Sequence, residues 1–218
     1  VPAQTLQVKS PETWKYLKQN ESALRKRESG KADTAEWYGY IYRKNLTLFD
    51  DPKLIVQVIS LYGRYAFDDQ GLYFTGGGNG PYYGIRWRTG YDQHSIHYLQ
   101  ALLNSNLLDY YLKQVSSPFR GGYWSYGKRF IEQLPIRIVD FTDPAEVKRH
   151  DDLVALVARI LELHKRLDTE GNPQIQTAFR RQLEALERRL NGQVYDLFNL
   201  TDTEIQLVET NESPIRRY

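Results

Sequence analysis

The apolar residues of this chain recur at helical spacing near both ends and alternate like strands in between. Ser10 and Pro11 suit an N-cap and a first helical position, and apolar residues spaced from Trp14 predict a helix to about Arg27. Aromatic and β-branched residues then predict a series of strands. These are a strand at 37–43, a strand at 53–60, a hairpin over 62–75 and a strand ending in the alternating residues 86–88.

The second half of the chain returns to helical spacing. Its predicted elements are a helix from about Gln93 to Ser116, a strand at 136–139, a helix from Asp143 to about Leu167, a turn at 170–173, a helix ending at Asn191 and Gly192, and a short helix capped by Thr201 and Glu204. Two successive amphipathic helices bury their apolar stripes on each other, which predicts a C-terminal antiparallel helical hairpin.

These elements predict an α+β fold with a mixed or antiparallel sheet, flanking helices and the C-terminal helical hairpin. A capping pattern after Asp140 marks a domain boundary. We therefore expect an α+β domain over 1–140. The hairpin and the short final helix would pack on it over 141–218.

The segment 116–136 combines positive charges with aromatic rings around two adjacent glycines. Its candidate contacts to nucleic acid are Arg120, Tyr123, Trp124, Lys128 and Arg129. Cations bind phosphate oxygens, guanidinium groups read base edges, and a glycine-containing loop outside regular structure can fit a groove. The alternative interpretation is a surface loop whose aromatic side chains pack into the core.

Other cationic and polar residues add further candidate contacts. These are Arg86, Arg88, Arg43, Lys44, Asn79 and Tyr82. Alternation along a strand sends Arg86 and Arg88 to the same face. Asn79 lies in the glycine-rich loop and Tyr82 directly follows it, and this loop could also be only a flexible connection.

Composition excludes several classes of function. The chain of 218 residues has no cysteine, which excludes disulfides, thiolate metal sites and cysteine nucleophiles. No apolar run approaches the roughly 20 residues that cross a bilayer, and the first residues lack the layout of a secretion signal. We therefore expect a cytoplasmic protein with no membrane partner. Because methionine is absent and the chain opens on Val1, we also expect it to be a piece of a longer polypeptide.

The formal net charge of +2 is unevenly distributed. Residues 1–50 contain nine Lys or Arg and six Asp or Glu, residues 51–140 contain nine and seven, and the remainder contains eleven and fourteen. The three parts therefore carry +3, +2 and −3. A surface that faces phosphates is expected before Asp140.

Seven stretches together resemble a known family. They are TWKYLKQNESALRKR (13–27), WYGYIYR (37–43), PKLIVQVIS (52–60), YAFDDQGLYF (65–74), YLQALLNSNLLDYYLKQ (98–114), GKRFIEQLPI (127–136) and LNGQVYDLFNLTDTEI (190–205). In this order they resemble the TaqI-like C-terminal specificity domain. That domain is the target-recognition module of adenine-specific DNA methyltransferases and of type IIG restriction-modification enzymes.

The resemblance implies that the chain binds a specific double-stranded DNA sequence beside a methyltransferase catalytic domain of the same polypeptide. Phosphate contacts would set the register, side chains would read base edges, and the target adenine would flip toward the other domain. The resemblance places S-adenosylmethionine in the rest of that polypeptide, together with Mg²⁺ where the enzyme also cleaves DNA. No cofactor or metal site is expected in this chain.

The chain itself is not expected to contain a catalytic centre. Amino-methyltransferases of this kind hold the adenine amine with an Asn/Asp-Pro-Pro-Tyr/Phe motif, and the sequence has no Pro-Pro pair. The parent protein would be a site-specific adenine DNA methyltransferase. The alternative function is a module that binds a glycan or a protein, rather than nucleic acid, through an aromatic-rich surface.

Several charged and histidine residues are of the types that nuclease or metal sites use. They are Asp50, Asp51 and Lys53, Asp68 and Asp69, and His94 and His97. Around turns, such acids are expected to be solvated charges. The two histidines are spaced for a metal, but no further ligand stands near them in sequence, which favours a helix-cap or surface role.

Overall fold

The computed structural model describes residues 1–42, 45–75 and 81–211. The chain divides into two compact units, Val1–Leu48 and Phe49–Tyr218. The boundary at Asp140 stays a prediction. Among the described residues, no helix is both long enough and apolar enough to span a bilayer.

The first unit begins with short helices. They are α1 (Ala3–Lys9), α2 (Pro11–Gln19) and α3 (Glu21–Arg25). The helix start at Pro11 is confirmed, but the helix ends at Gln19 rather than Arg27. Asn20 leaves helical geometry with φ −102° and ψ 8°, and its side-chain amide donates to the carbonyl of Tyr16 at 2.9 Å.

The strand predicted at 37–43 is wrong over its described residues, because 37–42 pair with no strand. Trp37 is instead buried, with its ring centroid 5.9 Å from that of Trp14. The guanidinium of Arg27 donates to the carbonyls of Trp37 at 2.6 Å and Gly39 at 3.0 Å. A side chain therefore satisfies the backbone groups that a neighbouring strand would have bonded.

The described residues of the second unit contain an antiparallel sheet centred on β1 and a separate pair of strands. The strands of this unit are β1 (Lys53–Gln57), β2 (Ile59–Ser60), β3 (Tyr65–Asp68), β4 (Tyr82–Ile85) and β5 (Trp124–Ser125). β3 and β4 pair with the two edges of β1, and β2 pairs with β5. The strand predicted at 53–60 is confirmed, with a break at Val58 between β1 and β2.

The hairpin predicted over 62–75 is wrong, because β3 pairs with β1 and residues 72–75 form no strand. The carboxylate of Asp68 accepts hydrogen bonds from the backbone N–H groups of Gln70 and Leu72, both at 3.0 Å. These bonds turn the chain back after β3. They also use the N–H of Leu72, which the predicted second strand of the hairpin would need for pairing.

Two helices follow where one was predicted between Gln93 and Ser116. They are α4 (Ile96–Leu103) and α5 (Asn106–Val115). Asn104 interrupts them, because its side-chain amide bonds both the N–H of Tyr65 at 2.9 Å and its carbonyl at 3.1 Å. This contact docks β3 on the end of α4.

The strand predicted at 136–139 is also wrong. These residues form no strand, and the N–H of Val139 donates to Nε2 of His94 at 3.1 Å. A side chain thus replaces a strand partner here as well.

The C-terminal antiparallel helical hairpin is confirmed, and with it the α+β class. The remaining helices are α6 (Lys128–Ile131), α7 (Pro144–Thr169), α8 (Pro173–Leu197) and α9 (Asp202–Asn211). Helix α8 continues past Gly192 because Val194 and Tyr195 are buried and extend its apolar stripe. α7 packs on both α8 and α4, so the core joins the hairpin to the helices beneath the sheet.

Candidate nucleic-acid interface

Residues 117–125 form a short antiparallel hairpin, where the sequence predicted an irregular loop. The N–H of Phe119 donates to the carbonyl of Tyr123 at 2.7 Å, and the N–H of Ser125 donates to the carbonyl of Ser117 at 3.2 Å. The prediction of a segment outside regular structure is therefore wrong for these residues. The arms of the hairpin fix the direction in which its tip points.

The hairpin tip presents one arginine. Arg120, Gly121 and Gly122 form a single 3₁₀ turn, and the two glycines have φ values of 78° and 80°. Side chains strain such left-handed conformations, so glycine is required for this tight reversal. Arg120 is exposed between two exposed aromatic rings, Phe119 and Tyr123.

The hairpin extends into a ribbon of three short segments, 59–61, 117–119 and 123–125. β5 is its middle segment, because it pairs with β2 on one side and Trp124 bridges to Pro118 on the other. Trp124 is half-buried and packs against the core. The ribbon therefore has an inner face held by Trp124 and an outer face that carries its neighbours in sequence.

The outer face of the ribbon is apolar and exposed. Its large side chains are Ile59, Leu61, Phe119 and Tyr123, which are between 41% and 47% exposed. Only Tyr123 among them was a candidate from the sequence. Because the run at 53–60 was interpreted as one strand, the change from a buried strand to an exposed ribbon after Val58 was missed.

A buried carboxylate holds the ribbon to α5. Asp109 accepts hydrogen bonds from the N–H of Gly63 at 2.8 Å and the hydroxyl of Tyr126 at 2.7 Å, and its second oxygen lies 2.9 Å from Nζ of Lys113. The side chain of Asp109 is fully buried and Tyr126 is fully buried. One acid thus fixes the chain on both sides of the ribbon, after β2 and after β5.

Positive charge surrounds the ribbon. The segments 57–66 and 116–131 contain Arg64, Arg120, Lys128 and Arg129 and no Asp or Glu. Arg64 is exposed and its guanidinium lies 4.6 Å from the ring centre of Tyr62. Arg64 was not a candidate from the sequence, although this absence of acids is visible there.

Lys128 and Arg129 begin α6, directly after the ribbon. Lys128 is exposed and forms an ion pair with Glu132 at 3.2 Å. Arg129 is exposed, lies 4.4 Å from the ring centre of Phe130 and reaches Oγ of Ser117 at 3.5 Å. The exposed pair of Lys128 contributes little to stability, so its ammonium can exchange Glu132 for another anion.

Arg86 and Arg88 follow β4, and both are exposed as the alternation predicted. Between them Trp87 points inward, and its Nε1 donates to the carbonyl of Ser95 at 3.1 Å. Arg86 forms an exposed ion pair with Asp51. Trp87 therefore sets the orientation of both arginines.

The structure separates this arginine pair from the ribbon. Val58 N–H donates to the carbonyl of Pro81 at 2.9 Å, while the carbonyl of Val58 accepts from Tyr126 N–H at 2.7 Å, so the ribbon starts beside the beginning of β4. β4 then runs back along β1 until Ile85 lies opposite Leu54. At about 3.3 Å per residue, the arginines after Ile85 lie roughly 16 Å along the strand from the ribbon.

Arg43, Lys44 and Asn79 lie outside the described residues. Tyr82 is described at the start of β4, where it is 39% exposed and its ring centroid is 6.2 Å from that of Phe74. The structure therefore brings together the candidates of 116–136. Tyr82 stands at the ribbon end of β4, and the arginine pair at its other end.

The expectation of solvated turn charges is wrong for Lys53 and Asp68. Both side chains are buried, and Nζ of Lys53 lies 2.5 Å from Oδ2 of Asp68. Burial alone would raise the pKa of Asp68, but hydrogen bonds from Lys53 and from two backbone N–H groups bring it below its usual value. This pair joins β1 to the end of β3 and serves the fold.

His94 and His97, which are spaced for a metal in the sequence, contact different partners in the structure. Nε2 of His94 accepts the N–H of Val139, while Nδ1 of His97 lies 3.0 Å from Oε1 of Gln100. Desolvation lowers the pKa of His94. Across the described ranges, no three His, Asp or Glu side chains are arranged to hold a metal ion.

Comparison with known proteins adds two findings. A family model described as the TaqI-like C-terminal specificity domain matches residues 10–136. The chain is 29% identical over 177 residues to a protein of Escherichia coli named type II restriction enzyme and methyltransferase RM.Eco57I. This alignment covers 80% of the chain and 18% of the E. coli protein, so the chain matches only a minor part of that relative's length.

Proposed function

Because this chain belongs to the family of TaqI-like C-terminal specificity domains, we propose that it recognises a specific double-stranded DNA sequence. It does so for a site-specific adenine-N6 DNA methyltransferase of a type IIG restriction-modification enzyme in the cytoplasm. The observation that carries this proposal is the glycine-tipped hairpin, which presents Arg120 at the end of an uncharged ribbon that Arg64, Lys128 and Arg129 flank.

The chemistry of the ribbon suits a DNA groove. The major groove of B-DNA admits a two-stranded β-ribbon such as the hairpin 117–125, and arginine there binds two acceptors of guanine at once. Arg64, Lys128 and Arg129 are exposed around the ribbon and can bind phosphates. Arg120 at the tip would then read a base while these cations fix the register.

Methyl transfer itself belongs to another part of the protein in this proposal. The related E. coli protein is named as a restriction enzyme and methyltransferase, and this chain matches 18% of it. The described residues do not fit S-adenosylmethionine, because their strands pair only antiparallel and none of these strands leads through a glycine-rich turn into a helix. The partners are therefore double-stranded DNA and a methyltransferase domain of the same polypeptide, which supplies the cofactor.

The test compares a base-reading residue with a phosphate-binding residue. The bound DNA sequence is first selected from random duplexes with the intact protein, and affinities are then measured for all single-base variants. Arg120→Ala should relax the preference at one base pair by about 5- to 150-fold, because a bidentate arginine contact discriminates by ~1–3 kcal/mol. Lys128→Ala should weaken every duplex alike and reduce the salt dependence of binding by about one ion.

Arg120→Lys is the matched control, since it keeps the charge and removes the planar fork. It should retain salt dependence but lose the base preference. Uniform weakening by both Arg120→Ala and Lys128→Ala contradicts the assignment of Arg120. Binding that ignores both duplex sequence and ionic strength contradicts DNA recognition altogether and favours an aromatic surface for a neutral ligand.

A further inference from the structure

We propose that Leu61 and Phe119 contact the C5-methyl groups of thymines next to the base that Arg120 reads. This inference rests on the proposed function and adds two specificity-determining residues to it. Neither residue is cationic or polar, so the distribution of charge in the sequence does not identify either of them as a contact.

The positions of these residues follow from the register of the ribbon. Ser60 lies opposite Trp124, so one further residue places Leu61 opposite Tyr123. The hydrogen bond from Phe119 N–H to the Tyr123 carbonyl places Phe119 on the other side of Tyr123. The three side chains therefore form a row across the outer face of the ribbon.

The row fits the width of a major groove. Neighbouring strands lie about 4.8 Å apart, so three side chains in adjacent strands span roughly 10 Å. The major groove is about 12 Å wide. Leu61 also lies close to the hairpin tip, because a Cβ built on Gly122 would be 3.8 Å from Cδ2 of Leu61. Arg120 and Leu61 can therefore address adjacent base pairs.

Charge identifies the occupant of this apolar face. The ribbon is flanked by four cations, and the stretches 57–66 and 116–131 that contain it have no acid, an arrangement that attracts a polyanion. A protein partner with an apolar face would not require it. Within the major groove, the thymine methyl is the apolar group that base edges present, and apolar side chains contact it. DNA is thus the partner that can bind both the cations around the ribbon, through its phosphates, and the apolar outer face, through its thymine methyl groups.

The experiment removes single methyl groups from the DNA. After the bound sequence has been selected with the intact protein, each thymine is replaced in turn by deoxyuridine, which lacks only that methyl. We expect about fourfold weaker binding at one or two thymines adjacent to the base pair read by Arg120, the loss typical of one buried methyl group. Leu61→Ala should abolish the sensitivity at one of these positions, and Phe119→Ala should abolish it at the other.

Leu207→Ala is the matched control, because Leu207 is an exposed leucine of α9 outside the ribbon. It should leave every deoxyuridine effect unchanged. All three substituted side chains are at least 40% exposed, so the variants are expected to fold, and circular dichroism checks this.

Three results overturn the inference while leaving DNA recognition intact. These are a selected site without thymine beside the Arg120 base pair, wild-type binding that ignores every deoxyuridine, and deoxyuridine effects that persist in both alanine variants. If Leu61→Ala instead spares DNA binding and weakens association with the methyltransferase domain, the apolar face docks protein and the inference is wrong. Loss of all sequence preference in the wild-type protein contradicts the proposed function itself.

Discussion

Gly63 occupies a position where even one methyl group has no space. A Cβ built there would lie 2.9 Å from Cε2 of Tyr65, 3.0 Å from Oδ1 of Asp109 and 3.1 Å from Cε1 of Tyr126. All three neighbours are buried and hydrogen-bonded, so none can move away at small cost. Gly63→Ala must therefore displace either the carboxylate of Asp109 or the chain that leads into the ribbon.

The expected loss of stability combines two terms. Overpacking a core by one methyl costs about 1–3 kcal/mol, and a weakened hydrogen bond from Gly63 N–H to the Asp109 carboxylate costs up to ~1.5–3 kcal/mol. Since relaxation of one contact relieves the other, we expect a total of about 2–4 kcal/mol. For a domain of this size that lowers Tm by roughly 5–15 °C.

Gly192→Ala is the matched control for this substitution. Gly192 lies inside α8 with no atom within 4 Å of an added Cβ. Alanine there should raise the free energy of unfolding by about 0.5–1 kcal/mol. Thermal unfolding followed by circular dichroism measures both variants. A Tm for Gly63→Ala within 1 °C of the wild type refutes the packing described around Asp109, whereas a destabilised Gly192→Ala contradicts the open surroundings of Gly192 in α8.

Three further predictions concern hydrogen-bonding side chains. Tyr126→Phe removes the hydroxyl donor to Asp109 and should cost about 1–2 kcal/mol in urea unfolding, while specific DNA binding weakens because the ribbon loses an anchor. Because the pKa of Asp68 is lowered in the folded state, its ionised carboxylate stabilises the fold fully above its unfolded pKa, and this stabilisation is lost as the pH falls through its folded pKa. Asp68→Asn should therefore make the free energy of unfolding depend less on pH below about pH 4. An unchanged dependence on pH contradicts this. Thr201→Ala removes the capping hydroxyl at the start of α9 and should cost about 1 kcal/mol, measured by the same unfolding experiment.

Much of the fold could be predicted because its signals are local. The start of α2 is marked by Pro11 at its first position, although the side chain of Ser10 does not form the predicted cap. The starts of α7 and α9 are marked by capping residues next to the helix, and the hairpin of α7 and α8 is marked by two apolar stripes and a short turn. Such patterns depend on residues within a few positions of one another, so the sequence displays them directly.

The wrong predictions share a different physical cause. Arg27 bonds carbonyls ten and twelve residues away, and His94 accepts an N–H 45 residues away. In each case a side chain takes the backbone hydrogen bond that a strand partner would have made. Propensity describes only the segment and not the distant side chain that competes for it, so aromatic and β-branched runs at 37–42 and 136–139 predicted strands that do not form.

In the candidate site, too, residues with a local sequence signal could be predicted and residues positioned by distant contacts could not. Arg120, Lys128 and Arg129 could be found from their density in one segment, whereas Leu61 and Phe119 could not, because an apolar residue in a strand is normally interpreted as core. Their exposure follows from the break at Val58, whose two hydrogen bonds lead to different partners, Pro81 and Tyr126. The missed signal was the absence of acids from the stretches 57–66 and 116–131, which contain the ribbon.

The separation of the two arginine groups bears on the length of DNA that the proposed function requires. For a duplex that runs parallel to β1, roughly 16 Å corresponds to about five base pairs at 3.4 Å of helix axis each, which would separate the base pairs nearest the ribbon from those nearest Arg86. Arg86 must also release Asp51 before it can bind DNA, and since that ion pair is exposed on both sides the release costs little. Arg88, whose neighbour Trp87 is fixed by Ser95, forms no such ion pair with another of the described residues. The ribbon is therefore the part suited to reading bases, and the end of β4 is suited to holding the backbone of the same duplex about half a helical turn away.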